Sequence, residues 1–332
     1  MDLSTKYLGW SLPHPFLAGA SPLCDSVDRV KRLEDAGIAA VVLRSLFEEQ
    51  IDQEALAQYH AEHLHSDSHG EASSYLPEPE GVIFGPDEYL DYVRQVKQAV
   101  AVPVIASLNG YTQGGWIEYA KGIDQAGADA IELNLYSVAT DSGESGAEIE
   151  DRACAIVAAI RKAVRMPIAV KLSPFYTSLS NFALRLRSAG ADALVLFNRF
   201  FEPDIDIEAL EVRTHMELST SHELLLRLRW LAILSGQVDA GLAVSGGVHT
   251  ARDAIKSVMC GAHAVQLVAT LLRGGAGKVA ELRAGVARWL EENGYHSLQQ
   301  MRGSMDCSRT PDPKAFERGN YMRLLQTWRP DA

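Results

Sequence analysis

Short apolar runs alternate with amphipathic stretches along this chain, and one phrase introduces four of the runs. Ala36–Leu43 (AGIAAVVL), Ala126–Leu133 (AGADAIEL), Ala189–Leu196 (AGADALVL) and Cys260–Leu267 (CGAHAVQL) share a small residue, Gly, two free positions, Ala, an apolar residue, a free position and Leu. Each reads as a helix ending at a glycine, a turn, and a buried strand too short to be a helix. Four runs of a second kind stand between them: His14–Ala20 (HPFLAGA), Val102–Leu108 (VPVIASL), Met166–Leu172 (MPIAVKL) and Gly241–Ser245 (GLAVS). Pro15, Pro103 and Pro167 fall near the start of three of them, where a strand can begin without donating a ladder hydrogen bond.

Helical spacing fills the gaps. It predicts helices over Asp87–Val100, Gly115–Ala126, Glu148–Val164, Leu179–Ala189, Ser221–Ser235, Thr250–Cys260 and Lys278–Asn293. Near-continuous apolar strands alternating with helices imply a parallel sheet covered on its outer face. Eight such units imply an α/β fold of the closed (β/α)8 TIM-barrel type, one domain over residues 1–332. No G-x-G-x-x-G follows the first run, so an open dinucleotide-binding sheet lacks its phosphate loop. Two segments exceed ordinary loop length: 45–86 after the second strand and 199–220 after the sixth. Both leave carboxyl ends of strands, where barrel enzymes place their sites, and both are candidate lids.

Composition narrows the function. The formal charge is −12, and Ser45–Val93 holds twelve acidic residues with no Lys or Arg. Nucleic acid is excluded as a partner, because phosphate binding needs a basic face. The acidic stretch reads as a solvated insertion; a sharper reading makes it the dock for a basic electron-acceptor protein. No run of eighteen apolar residues exists and the N-terminus shows no signal pattern, so a cytoplasmic protein off the membrane is expected. Cys24, Cys154, Cys260 and Cys307 lie too far apart for a zinc or iron–sulfur motif. His60, His63, His65 and His69, with Glu62, Asp67 and Glu71, fall in the acidic insertion at irregular spacing and read as solvated loop, with no metal expected.

The residues that close the strands form a set, because in a barrel they face one pocket. They are Arg44 and Ser45, Asn109, Asn134, Lys171, Asn198, and Ser245 with Gly246 and Gly247. Three Asn, a Lys and a Gly pair suit a flat heterocycle rich in carbonyl and N–H groups. Backbone N–H groups of Gly246 and Gly247, and of Ala269 and Thr270 after the last strand, suit a phosphate.

Taken together, His14–Ser21, Asn134-Leu135 leading to Gly143, Ala169–Leu172 (AVKL), Val244–Val248 (VSGGV) and Cys260–Leu267 resemble the dihydroorotate dehydrogenases over nearly the whole chain. The resemblance implies FMN held in the barrel, with its phosphate on the glycines after the seventh and eighth strands. It gives a flavin-contact role to Ala20, Ser21, Ser45, Asn134, Lys171, Asn198, Gly246, Gly247 and Thr270. Asn109 and Ala269 join them by position at the rim, and Arg44, Asn134 and Asn198 face a small-molecule substrate. The implied reaction oxidises a C–C bond beside a carbonyl, with a hydride passing to the flavin. Ser137, three residues after Asn134, stands where the family keeps its base, and Lys171 favours negative charge on the reduced ring. The resemblance also implies a homodimer.

The chain departs from the family mainly on the substrate side. Arg44 replaces a lysine, Pro79–Pro86 (PEGVIFGP) lacks the family's Asn, Val138-Ala139 replaces Pro-Asn, and Phe200-Phe201 follows Asn198. Two other readings therefore stand beside the dehydrogenase: a flavin-binding barrel without dihydroorotate turnover, and a Schiff-base lyase or aldolase acting through Lys171.

Overall fold

In the computed structural model the eight apolar runs become the strands of one closed parallel barrel. The structure describes residues 1–47, 85–110, 113–135, 138–199, 202–213, 217–317 and 326–327. A short antiparallel hairpin comes first, β1 (Thr5–Tyr7) and β2 (Trp10–Leu12). The barrel strands are β3 (Phe16–Ala18), β4 (Val41–Phe47), β5 (Val104–Asn109), β6 (Ala130–Leu135), β7 (Ile168–Leu172) and β8 (Ala193–Leu196), then β11 (Gly241–Ser245) and β12 (Ala264–Leu267). The ring closes as β12 pairs with β3, Val265 opposite Phe16. Between β8 and β11 lies a second hairpin, β9 (Asp204–Asp206) and β10 (Glu211–Arg213).

Helices cover the outside: α1 (Val27–Asp35), α2 (Pro86–Ala99), α3 (Gln113–Gln125), α4 (Gly146–Ala163), α5 (Leu179–Ala189), α6 (Leu224–Leu234), α7 (Ala251–Met259), α8 (Ala269–Gly274) and α9 (Lys278–Glu292). Each predicted helix is present within two residues at its ends, except that Ser221–Glu223 is a 3-10 turn leading into α6. The repeated phrase works as expected: Gly37, Gly127, Gly190 and Gly261 all take positive φ, which turns the chain out of a helix and into the next strand.

Two buried layers hold the barrel together. The outer faces of the strands pack against the helices, with Leu43, Leu133, Leu172 and Leu196 among the fully buried residues. Inside the barrel, small residues Ala130, Ala193, Ala243 and Ala264 leave room for Tyr7 and Leu12 of the hairpin, which plug the amino-terminal mouth. A Cβ on Gly241 would stand 3.1 Å from the Tyr7 ring, so the plug and the small lining are matched.

One boundary moves. Strand β4 runs through Ser45 to Phe47, so these residues are barrel wall and not the start of the acidic insertion. Its pairing with β5 slips by one residue between Val42 and Ser45, a bulge that changes how Arg44 and Ser45 meet the barrel mouth. The histidine cluster and the rest of segment 48–84 lie outside the described residues.

Candidate active site

A cleft of about 400 Å³ opens at the carboxyl ends of the strands, within the range that binds a drug-sized ligand or cofactor. It is lined by Ala20, Ser21, Arg44, Ser45, Lys171, Asn198, Gly246 and Ala269. These eight named positions, read from six separate stretches of sequence, meet at one cavity. Phe47, Phe197 and Leu272 supply apolar wall, and Arg199, Ser219 and Ser245 supply further polar groups.

The floor of the cleft is polar because β6, β7 and β12 turn Glu132, Lys171 and Gln266 inward. Lys171 Nζ lies 3.3 Å from Glu132 Oε1, with Lys171 6% and Glu132 0% exposed. Gln266 donates its amide N–H to the other oxygen of Glu132. Lys171 is therefore the only member of this trio that lines the cleft, and its charge is countered from below.

A second polar group sits beside it. Asn134 donates to Ser107 Oγ at 2.8 Å, to Ser45 Oγ at 3.2 Å and to the Leu108 carbonyl at 3.2 Å. Ser45 and Ser107 hydroxyls are 2.8 Å apart. Asn134 reaches the cleft through Ser45 rather than lining it. Asn109 closes β5 opposite Phe47, half-buried at the edge of this cluster. Ser137 lies outside the described residues.

The wall after β11 is built on two consecutive glycines. Gly246 and Gly247 have φ of +83° and +82°, a conformation that side chains other than Gly adopt at a cost. A Cβ on Gly247 would lie 2.7 Å from the Leu224 backbone nitrogen, and one on Gly246 would lie 3.0 Å from the Arg227 guanidinium. Arg227 is buried behind the turn, donating to the carbonyls of Ser245 and Glu223. Burial lowers its pKa from the usual arginine value. Thr270, one residue into α8, donates its hydroxyl to Val248 O, and the first N–H groups of such a helix have no acceptor within it.

Several of these groups went unseen in the sequence, among them Glu132, Ser219, His249 and Arg227. Glu132 did leave a signal, as a charged residue inside the apolar run AGADAIEL. Ser219 and His249 left none, because their contacts join segments far apart in the chain. Ser219 accepts the Gly247 N–H at 3.2 Å and meets His249 Nε2 at 3.3 Å; His249 Nδ1 lies 3.3 Å from Thr270 Oγ1. Among the described residues no cluster of three His, Cys, Asp or Glu suits a metal ion. None of the described helices is long and apolar enough to cross a membrane.

The chain is similar in sequence to known proteins. Residues 83–290 match the sequence family described as dihydroorotate dehydrogenase. The chain is 31% identical over 219 residues to the catalytic subunit of dihydroorotate dehydrogenase B (NAD(+)) of Pelobacter propionicus, covering 63% of this chain and 70% of that one. It is 26% identical over 313 residues to the same-named subunit of Thermoplasma volcanium, covering 91% and 98%. It is 24% identical over 327 residues to the NAD-dependent dihydropyrimidine dehydrogenase subunit PreA of Escherichia coli K12, covering 91% and 76%.

Proposed function

The chain belongs to the dihydroorotate dehydrogenase family, and from that premise we propose that it is an FMN-dependent dehydrogenase of dihydropyrimidines, acting on dihydroorotate or a related compound. The single observation that carries the reading is the convergence of Lys171, Asn198, Ser45 and Gly246 on one cleft.

The donor set fits FMN. Ser21, Ser45, Lys171 and Asn198 present a cation, hydroxyls and an amide to a flat ring, and the cavity wall is otherwise mostly apolar. Gly246 and the start of α8 offer backbone N–H groups to the phosphate, the Gly247 N–H being held by Ser219, and a Cβ on either glycine would crowd its neighbours. Bound there, FMN supplies the acceptor for the hydride that leaves the substrate carbon.

The remaining work falls to the chain. Lys171 holds a positive charge beside the ring, and Glu132 and Gln266 fix its position from below. Asn198 and Arg44 orient the substrate at the open side of the cleft. Ser137 takes the proton from the carbon next to the carbonyl; a serine hydroxyl is a weak base and needs polar neighbours to pass the proton on. All three of these relatives are named as subunits of NAD-dependent enzymes. The electrons therefore leave through a partner protein, for which the acidic residues between Glu48 and Asp91 are the dock; high salt should slow that transfer and leave substrate oxidation unchanged.

Chemical identification of the released flavin tests the cofactor assignment. Denatured protein should yield one FMN per chain by mass spectrometry. A purified protein that yields no flavin, or only FAD, contradicts it.

A further inference from the structure

We propose that His249 couples proton uptake to anion binding at the Gly246-Gly247 turn, acting through the hydroxyl of Ser219. The proposal rests on the FMN reading above and adds a positioning residue to its phosphate seat.

The Thr270 contact sets the direction of the side-chain hydrogen bonds around His249. The Thr270 hydroxyl spends its proton on Val248 O, so at the contact with His249 it must accept, and Nδ1 carries the proton. On a neutral ring Nε2 is then an acceptor, and the Ser219 hydroxyl must donate to it. Ser219 in turn accepts the Gly247 N–H. The chain runs from Gly247 N–H through Ser219, His249 and Thr270 to Val248 O. In this state the proton of a cleft-lining hydroxyl points away from the cleft, towards the imidazole.

Protonation of His249 reverses one link. An Nε2–H donates to Ser219 Oγ, and the Ser219 proton must rotate elsewhere; the cleft is where an anion would receive it. The seat thereby gains a hydroxyl donor and a nearby positive charge together.

The charged neighbours define the balance. Arg273, on α8, donates to the carbonyls of Ser219 and Leu218, both at 2.9 Å. Asp253, on α7, accepts from the backbone of His249 and Thr250 and from the Ser221 hydroxyl. Glu223, in the 3-10 turn, is paired with Arg199. Burial, and then Arg273, lower the pKa of His249 against the opposing pull of Asp253, a hydrogen bond to the Ser219 backbone, and Glu223. The ring is thus neutral near pH 7 until an anion arrives. A phosphate dianion on the far side of Ser219 favours the imidazolium, so binding takes up a proton.

The sign follows directly. The bound state holds more protons than the free state, so FMN affinity falls as pH rises through the bound-state pKa of His249. The slope approaches about tenfold per pH unit for one proton. The measurement belongs above roughly pH 6.5, where a phosphate monoester with a second pKa of about 6 is already a dianion.

Flavin-fluorescence titration of the full chain freed of flavin reads this out, with FMN and riboflavin compared between pH 6.5 and 8.5. The FMN dissociation constant should rise at least about fivefold over that range, while riboflavin, which has no phosphate, stays flat. His249→Gln should flatten the FMN curve, and Ser219→Ala should reduce the preference for FMN over riboflavin. Calorimetry of the unaltered chain in two buffers of different ionisation enthalpy gives an independent check, with proton uptake expected for FMN and none for riboflavin. Tight FMN binding without pH dependence or proton uptake overturns the role of His249 and leaves the FMN reading standing. FMN binding no tighter than riboflavin at any pH overturns both.

Discussion

Lys171 Nζ and Glu132 Oε1 stand 3.3 Å apart inside the barrel, at the floor of the cleft. Two charges so deeply placed are tolerated only as a pair, because each alone would be desolvated without compensation. Removing either partner should therefore cost far more than removing both. Glu132→Gln and Lys171→Met should each lower unfolding stability by about 3–5 kcal/mol in the flavin-free chain, and the double variant should recover much of the loss. Urea denaturation of the four proteins measures this. Additive losses would show that the pair is not coupled.

Gly247 fixes the turn proposed to face the phosphate. Gly247→Ala forces a side chain into left-handed backbone and against the Leu224 nitrogen, 2.7 Å from the added Cβ. A loss of about 1–3 kcal/mol in stability is expected, from the strain of that conformation and the contact together. Flavin content after purification should fall with it. An alanine variant that keeps both the stability and the flavin of the parent would contradict the assigned turn.

Much of this architecture is legible in the order of residues alone. The eight barrel strands can be read because each is a buried run of its own, and four of them carry the same helix-ending glycine phrase. The two hairpins are not legible: Thr5–Leu12 and Asp204–Arg213 use strands of three residues, too short to show a period. In the site, residues at strand ends can be named because closing a barrel brings those ends together. Ser219, His249 and Arg227 cannot, since their roles come from contacts among the second long segment, α6 and the turns after β11 and β12, which lie apart in the chain. The reach of β4 to Phe47 is hidden because the acidic composition begins as the strand stops.

His14 predicts an acid limit. It is 2% exposed and its Nε2 meets the Gly37 carbonyl at 2.8 Å. Burial pushes its pKa down to about 4, from 6.5. Between those values the unfolded chain binds the proton more readily, so stability is full above pH 6.5 and is lost as pH falls towards 4. The contribution of this one histidine is roughly 3 kcal/mol. His14→Gln should flatten the stability profile over that window in denaturant unfolding. An unchanged profile would assign the acid sensitivity elsewhere, His263 being the other histidine that burial holds near 4.

Arg44 tests the substrate side. It lines the cleft and lies 3.4 Å from Asp25, half-buried. If it orients a carboxylate-bearing substrate, Arg44→Gln should raise KM for dihydroorotate about tenfold or more and change kcat little. The KM for uncharged dihydrouracil should stay as it was. Equal effects on both substrates would remove Arg44 from anion recognition.

Anaerobic mixing of the purified protein with dihydroorotate, and separately with dihydrouracil, tests the central claim most directly. The bound flavin should lose its visible absorbance with one of them, one substrate oxidised per flavin, and the matching unsaturated pyrimidine should appear. A protein that stays yellow with every dihydropyrimidine offered, or that is colourless from the start, would contradict the account.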